Sequence, residues 1–275
     1  MAKSKEKSHS GRTMADRADR HELYEAAVQN VAEECSLIDF AFKQIRGRKA
    51  KTLREDFCGT ASAACEWVTL GRSRYAFGID VDPEVLAWGR THRVEALKKS
   101  QRKRVSLIHG DVLTAKAPVV DVVVAFNFSY WVFDERARLV RYFKTVFDGL
   151  KSDGVFFLDA FGGPSAFTKG KERAEIDGFT YVWDQTRYSP VTGRMKTRIH
   201  FEFPDGSKLK KAFAYEWRLW TVPEIRDLLE EAGFRNVTVW FELRDENGEG
   251  VGEWLPDPDG PAEDPAWIAN ITAEK

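Results

Sequence analysis

Hydrophobic and polar positions change period several times along this chain. From residue 51 to residue 163, short apolar runs alternate with amphipathic stretches. Lys51–Glu55 leads into the turn FCGTA and then a helix near Ala61–Leu70. Arg74–Asp80 (RYAFGID) predicts a strand and Asp82–Leu97 a helix, with Asp82 as its cap and Pro83 in a first turn whose N–H groups need no helical partner. Arg104–His109 predicts a third strand that ends at Gly110-Asp111. Val119–Phe126 is apolar and β-branched at nearly every position, the mark of a strand covered on both faces. Over Asp134–Leu150, Leu139, Phe143, Val146, Phe147 and Leu150 fall on one helical stripe, and Gly154–Ala160 reads as a fifth strand. Strands alternating with helices imply βαβ units with right-handed crossovers, hence a mostly parallel sheet.

The period changes after Gly163. Phe179–Gln185, Arg194–Phe203 and Lys208–Trp217 alternate in twos and are punctuated by Pro190–Gly193 and Pro204-Asp205-Gly206, which are hairpin signals. The α/β pattern returns with a capping box, Thr221 to Glu224 with Pro223 between them, and that helix ends at Gly233. Val237–Leu243 and Ala266–Ala273 close the chain as two strands. With no helix between them, they are expected to be antiparallel neighbours. The expected fold is α/β, a doubly wound seven-stranded mostly parallel sheet with an antiparallel insertion before the last helix. The expected division is a mobile tail over 1–20, a helical cap over 21–50, a ligand-binding half over 51–163, the insertion over 164–220, and the last helix with the final strand pair over 221–275.

Composition narrows the class. The 275 residues are 43% hydrophobic and 31% charged, enough apolar material for a large core and too much for disorder. The net charge of −1 gives no global attraction to nucleic acid or anionic lipid, although residues 1–20 hold six bases against three acids and could serve as a basic arm. No apolar run approaches the roughly 18 residues of a membrane span, and the N-terminal bases precede no apolar segment of a secretory signal. Cys35, Cys58 and Cys65 are odd in number and lack CxxC spacing, so neither a disulfide framework nor a zinc site is expected, and a cytoplasmic location is. Phe241–Lys275 carries ten acids and two bases. Most of those acids lie in Asp245–Asp264, which reads as a long solvated loop.

In a doubly wound sheet, ligands sit outside the carboxyl ends of the strands at the topological switch point. The first strand ends Glu55-Asp56 and turns through Phe57-Cys58-Gly59-Thr60-Ala61; the second ends at Asp80, the third at Asp111-Val112, the fourth at Asn127-Phe128-Ser129. Taken singly, such an acid is commonly a helix cap and Gly59 a plain tight turn. Four in register have a joint chemical use. Asp80 can accept both hydroxyls of a ribose, the Gly59 loop lets backbone approach a ligand, and Asp111 can accept from an adenine amino group. A dinucleotide fold needs G-x-G-x-x-G to press a pyrophosphate against backbone and helix N-terminus, whereas FCGTAS has one glycine. An adenosine attached to a sulfonium amino acid has no phosphate to cradle, so S-adenosyl-L-methionine is favoured over NAD.

The runs LREDFCGTA, FGIDVDPEVLAWGR, HGDVL, VVDVVVAFN and LKSDGVFFLDAFGG resemble the successive motifs of class I S-adenosylmethionine-dependent methyltransferases. The resemblance spans about Leu53–Gly163, with Thr221–Ala273 matching the family's last helix and final strand pair. It implies a Rossmann-like fold, S-adenosyl-L-methionine as methyl donor and S-adenosyl-L-homocysteine as product. The family's first motif, acid-x-G-x-G-x-G, puts its acid on Glu55 and its three glycines on Phe57, Gly59 and Ala61, so two glycines are replaced. Asp56 is an additional acid that could share the role of Glu55. The resemblance carries the ribose acid to Asp80, its neighbour over the adenine to Val81, and the adenine-edge acid to Asp111. Cys58, Thr60, Val112, Asn127, Phe128 and Ser129 complete the expected cofactor contacts. The insertion is placed as in small-molecule N-methyltransferases acting on glycine or amino sugars, where a Tyr of an N-terminal helix closes over the cofactor; here that is Tyr24.

The family presents the end of its fourth strand to the transferring methyl, which makes Tyr130 the first candidate for orienting the acceptor and Asn127 the second. The alternative is that Phe128, Tyr130 and Trp131 are a packed aromatic edge. In the insertion, Trp183, His200 and Trp217 are substrate-binding candidates within a set that also includes Tyr181, Arg187, Tyr188, Arg198, Tyr215, Glu216, Arg218 and Trp220. Ring faces would hold an amine and guanidinium groups a carboxylate. The competing use of this segment is a hairpin core with a homodimer contact, and a structural role for His200. Cys58 reads either as a reactive thiol at a helix N-terminus or as packing against the cofactor. The leading function is methyl transfer to N or O of a small molecule; the alternatives are a protein or RNA methyltransferase and a binder that uses the cofactor without transferring its methyl.

Overall fold

The computed structural model describes residues 12–246, 250–261 and 264–275. Three helices open the chain, α1 (Met14–Arg17), α2 (Arg20–Val28) and α3 (Val31–Arg46). The α/β part then runs β1 (Thr52–Asp56), α4 (Ser62–Thr69), β2 (Tyr75–Asp80), α5 (Pro83–Gly89), α6 (Lys99–Arg102), β3 (Val105–His109), β4 (Val120–Ala125), α7 (Arg136–Gly149) and β5 (Leu150–Gly162). An antiparallel sheet follows, β6 (Gly170–Ile176), β7 (Phe179–Tyr188), β8 (Arg194–Glu202) and β9 (Lys208–Arg218). The chain returns to the large sheet through α8 (Val222–Ala232), β10 (Arg235–Arg244), β11 (Gly250–Pro256) and β12 (Trp267–Glu274).

The large sheet has the order β11-β10-β12-β5-β4-β1-β2-β3. Strands β1 to β5 pair in parallel, whereas β12 runs antiparallel to both β5 and β10. The chain steps outward from β1 through β2 to β3 and then crosses to β4 on the other side of β1, so the switch point lies between β1 and β4. Burial follows from the strand period. Val122 and Val124 pack with Leu37, Ile38, Phe42 and Trp67 of α3 and α4, while Val123 and Ala125 pack with Leu139, Phe143, Ile225 and Leu229 of α7 and α8. Each face of β4 is therefore a core, as its unbroken apolar run requires.

Four expectations need correction. The sheet has eight strands, because β11 lies inside the acidic segment read as a solvated loop; its Trp254 is buried against the α3 side and outweighs the charge around it. The insertion has a fourth strand, β6, whose sequence GKERAEI is mostly charged because it is an exposed edge. The helix expected over Asp82–Leu97 breaks at Gly89 into a π-turn over Arg90–Val94. The mobile tail over 1–20 is also shortened. Residues 1–11, with most of the basic arm, lie outside the described residues, but α1 docks on the insertion, with the N–H of Met14 donating to Asp205 (2.8 Å) and that of Ala15 to Ser207 Oγ (3.0 Å). Among the described residues, no helix is long and apolar enough to cross a membrane.

Candidate active site

The loop leaving β1 is set by backbone conformation. Phe57, Gly59 and Ala61 all adopt left-handed φ values, +57°, +51° and +60°. These are the three positions that the resemblance assigns to glycine, so the loop keeps a glycine geometry with only one glycine. Each non-glycine residue held there costs roughly 1–2 kcal/mol. Phe57 offsets its share by packing its ring on Phe133 and Tyr142, with centroids at 5.9 and 5.5 Å. Ala61 opens α4 and donates its N–H to the Cys58 carbonyl (2.7 Å). Around Gly59 a Cβ would meet nothing within 4 Å, so this side of the loop is open to a ligand.

Two other glycines seat the loop. A Cβ on Gly89 would lie 2.3 Å from the Thr60 carbonyl oxygen, so α5 can back onto the loop only through a glycine. A Cβ on Gly78 would lie 2.8 Å from Cys58 Sγ. Cys58 is consequently buried and its thiol is pushed up by desolvation, which favours the packing reading over a reactive thiol. From above, Glu25 of α2 accepts from the hydroxyls of Thr60 and Ser62 and pairs with Arg93, fastening the helical cap over the loop.

The acids at the strand ends separate into distinct roles. Asp80 accepts the Gly59 N–H on one oxygen (2.8 Å) and the Asp82 N–H on the other (2.9 Å). A carboxylate has about four acceptor sites, so two remain for vicinal hydroxyls. Glu55 accepts the Ala64 N–H (2.9 Å) in the first turn of α4, and burial, with Glu34 and Asp80 nearby, pushes its carboxyl up to about 8. Asp56 points to the opposite face of β1. There it pairs with Arg54 (2.9 Å) and accepts from the Tyr142 hydroxyl (3.0 Å), so it shares nothing with Glu55. Val81, strongly exposed, follows Asp80 at the mouth; Asp111 is exposed and accepts the Leu113 N–H, while Val112 is buried beneath it.

Beyond the switch point, Asn127 and Phe128 are both left-handed, φ +58° and +56°, and both donate their N–H groups to Asp159 of β5, at 2.7 and 2.9 Å. One buried carboxylate thus shapes the turn after β4, and burial pushes it up to about 7. Sequence reasoning passed over Asp159; the available signal was a lone acid in the apolar run GVFFLDAFG. Glu34 was missed too. It sits half-exposed on α3, and desolvation together with the charge of Asp159 pushes its carboxyl up to about 8. Tyr130 is fully buried and its hydroxyl donates to the Asp159 carbonyl (2.7 Å), which makes it part of the wall behind the turn rather than an orienting group. Ser129 spends its hydroxyl on the Phe126 carbonyl (2.8 Å).

Facing this turn is the inner surface of the four-stranded sheet. Phe128 stacks edge-on against Phe161 and Trp217, Trp183 lies 6.3 Å from Phe161 and 6.2 Å from Trp217, and Tyr215 stacks on Trp217 at 4.4 Å. Tyr24 of α2 closes the row: its ring meets Phe213, its hydroxyl faces that of Tyr215, and the charge of Asp159 reaches it. Tyr24, Trp183 and Tyr215 lie between two layers and are only partly buried, so each ring packs on a core cluster and keeps an open edge. His200 is not among them. It stands on the outer face, where its Nδ1 accepts the Lys211 N–H (2.9 Å) and its Nε2 lies 3.4 Å from Asp184.

This donor set fits S-adenosylmethionine and not a dinucleotide. In the first turn of α4, where a pyrophosphate would sit, the Ala64 N–H is already taken by the Glu55 carboxyl and is not free for a phosphate. Glu34 feels the charge of Asp159 and Glu55 that of Glu34, and among the described residues no cation pairs with any of the three, an arrangement that a positively charged ligand relieves.

Residues 56–158 match the family described as methyltransferase domain. No protein with a curated description matches the chain. Among solved structures, an S-adenosylmethionine-dependent methyltransferase from Clostridium acetobutylicum is 15% identical with a TM-score of 0.67, covering 92% of this chain and 96% of that one. The sugar N-methyltransferase KedS8 from Streptoalloteichus is 17% identical with a TM-score of 0.63 and coverage of 100% and 98%. CalS10 from Micromonospora echinaspora, an amino pentose methyltransferase with S-adenosylmethionine bound, is 16% identical with a TM-score of 0.62 and coverage of 92% and 95%. The chain thus holds a methyltransferase domain over residues 56–158, set in the fold that solved S-adenosylmethionine-dependent methyltransferases share.

Proposed function

We propose that the enzyme methylates a nitrogen of a small molecule held between the turn after β4 and the inner face of the insertion. The observation that carries this reading is the row of half-exposed rings, Tyr24, Trp183 and Tyr215, closing over the Asn127-Phe128 turn. Such a cleft is roofed on one side by α2 and on the other by the four-stranded sheet, which suits a metabolite better than a polymer. Oxygen acceptors are the second branch of the same proposal.

When bound, S-adenosylmethionine supplies a methyl that an aligned lone pair can take from the sulfonium sulfur, the C–S bond breaking as the new bond forms and S-adenosylhomocysteine departing. The protein's part is binding and alignment. Asp80 offers its free lone pairs to the ribose, the open side of Gly59 admits the ligand to the backbone, and the carboxyls of Glu34 and Glu55 balance its positive charge. Asp159 fixes the turn that presents Asn127 and Phe128, and the rings exclude water. Positioning of this kind contributes roughly 7–11 kcal/mol toward a displacement. An amine needs only to arrive neutral, so no strong base is required of the wall.

The test is a thermal-shift series with S-adenosylmethionine, S-adenosylhomocysteine and NAD, followed by mass-spectrometric detection of methylated amines. A hundredfold excess over Kd adds about 2.7 kcal/mol. The first two ligands should raise the melting temperature and NAD should not. Stabilisation by the first two with product from hydroxyl acceptors alone would transfer the proposal to oxygen.

A further inference from the structure

The insertion brings arginines and aromatic rings close together in sequence, and the pleat takes them apart. Trp183 pairs with Ile199, Gln185 with Thr197, Thr197 with Tyr215 and Met195 with Trp217, all on the inner face. The intervening pairs, Asp184 with Arg198, Arg187 with Lys196 and Lys196 with Glu216, stand on the outer face. Every guanidinium of these strands is therefore on the far side of the sheet or engaged at its edge: Arg173 pairs with Glu202, Arg194 with Asp134, and Arg218 lies over Trp220 beside Glu224. The recognition expected from composition, rings for an amine and arginines for a carboxylate, keeps only its first half.

We propose that the acceptor is an amine carrying no carboxylate or phosphate, recognised by the faces of Tyr24, Trp183 and Tyr215 and by neutral donors along the same wall. This rests on the N-methyl-transfer reading above. Neutral donors stand beside these rings. Trp131 Nε1, Trp217 Nε1 and the Thr197 hydroxyl are all buried without a hydrogen-bond partner among the described residues, an unfavourable state that oxygen atoms of an acceptor would relieve. Charge points the same way. The ionisable groups beneath the rings are Asp159, whose charge reaches Tyr24, and Glu34 beyond it, so an anionic acceptor finds no counter-charge there, whereas the ring faces receive the N–H groups of an amine. Among the described residues a cation does approach from outside the insertion: Arg20 of α2, exposed, with its guanidinium 5.5 Å from the centre of the Phe213 ring.

The experiment is calorimetric titration of the full chain loaded with S-adenosylhomocysteine against matched pairs, histamine with histidine and glucosamine with its C6-carboxylate counterpart. In each pair the member without carboxylate should bind at least about tenfold more tightly, with the preference unchanged in Arg20→Gln and its affinity reduced severalfold in Tyr215→Phe and Trp183→Phe. Equal or tighter binding of the carboxylates, a preference that depends on Arg20, or no binding by any of the four below about 10 mM overturns the proposal. A parallel assay with S-adenosylmethionine separates the two layers of the argument. N-methyl product formed preferentially on the carboxylate members overturns this inference and leaves N-methyl transfer standing. Amine binding of the expected sense with no N-methyl product removes that reading, and this inference with it.

Discussion

The two walls of the proposed cleft are made differently. The wall contributed by β1 to β5 is a set of carboxyls and backbone N–H groups at strand ends: Asp80 on the Gly59 loop, Glu55 on α4, Asp159 under the Asn127-Phe128 turn. The wall contributed by β7 to β9 is a sheet face of rings, with its charges turned outward. In the first, topology does the placing, because consecutive parallel strands end at one edge of the sheet whatever their side chains do. In the second, each residue's side is decided by the pleat, and the pleat is reset by register shifts between Gln185 and Arg187 and between Ile199 and Phe201. A parallel half therefore shows its site along the linear sequence, and an antiparallel half shows it only once the pairing is known.

The sharpest way to break the first wall is at its glycines. Gly89→Ala places a methyl 2.3 Å from the Thr60 carbonyl, and since that atom belongs to the backbone the loop itself must shift. A destabilisation of about 1–3 kcal/mol is expected, with S-adenosylmethionine affinity falling tenfold or more in calorimetry. Gly59→Ala is the contrasting variant. Its methyl meets nothing, so stability should fall by only about 1 kcal/mol while affinity still drops, because the methyl enters the space left for the ligand. Equal loss of affinity and stability in both variants would mean that the open side of the loop is not where the cofactor lies.

Next in size is Asp159→Asn. An amide offers one acceptor oxygen where two N–H groups now converge, so the Asn127 or Phe128 N–H loses its partner, at about 1–3 kcal/mol. The expected readout is a fall in kcat with the melting temperature lowered by several degrees and S-adenosylhomocysteine affinity nearly unchanged. That split distinguishes a residue shaping the acceptor side from one holding the cofactor.

Acidity separates the walls further. Glu34 and Glu55 are pushed up to about 8 and Asp159 to about 7, so in the free folded protein they keep protons that the unfolded chain has lost above its ordinary carboxylate range. Folded-state pKa values above the unfolded ones make these carboxyls increasingly destabilising as pH rises from about 4.5 through 8. A cationic ligand reverses the trend, since it favours the ionised acids and releases protons on binding. Affinity for S-adenosylmethionine should accordingly rise between pH 6 and pH 9, and rise more than that for S-adenosylhomocysteine, which lacks the sulfonium charge. A lowering of one unit in one of these acids is a tenfold gain. A preference independent of pH would place the sulfonium away from them.

What was legible follows the same division. The alternation of strands and helices, the Thr221 capping box, and the acids Glu55, Asp80 and Asp111 all stand in the order of the sequence. Tyr130 and His200 were misplaced because their sides depend on packing: one is drawn into the core by the Asp159 carbonyl, the other sits one residue out of phase with the inner face. Glu34 had no local signal at all, since only the folding of α3 across the strand ends brings it near Asp159. Gly89 looked like a helix interior position of no special kind, and its meaning lies wholly in the Thr60 carbonyl opposite.

The smallest expected effect bears on the replaced glycines. Phe57 and Ala61 share the left-handed conformation of Gly59, but they differ in what their side chains return. The Phe57 ring is anchored on Phe133 and Tyr142, so Phe57→Gly should relax the backbone and lose those contacts, a net destabilisation. Ala61 contributes a single buried methyl at the start of α4, so Ala61→Gly should stabilise the fold by about 1 kcal/mol, about 2–4 °C in melting temperature. Cofactor affinity should not fall, because the conformation that Ala61 is forced into is the one that glycine adopts freely. If Ala61→Gly instead loosened binding, the methyl itself would be holding the loop in place. The loss of two glycines from the motif would then be a tightening of this wall rather than a strain tolerated by it.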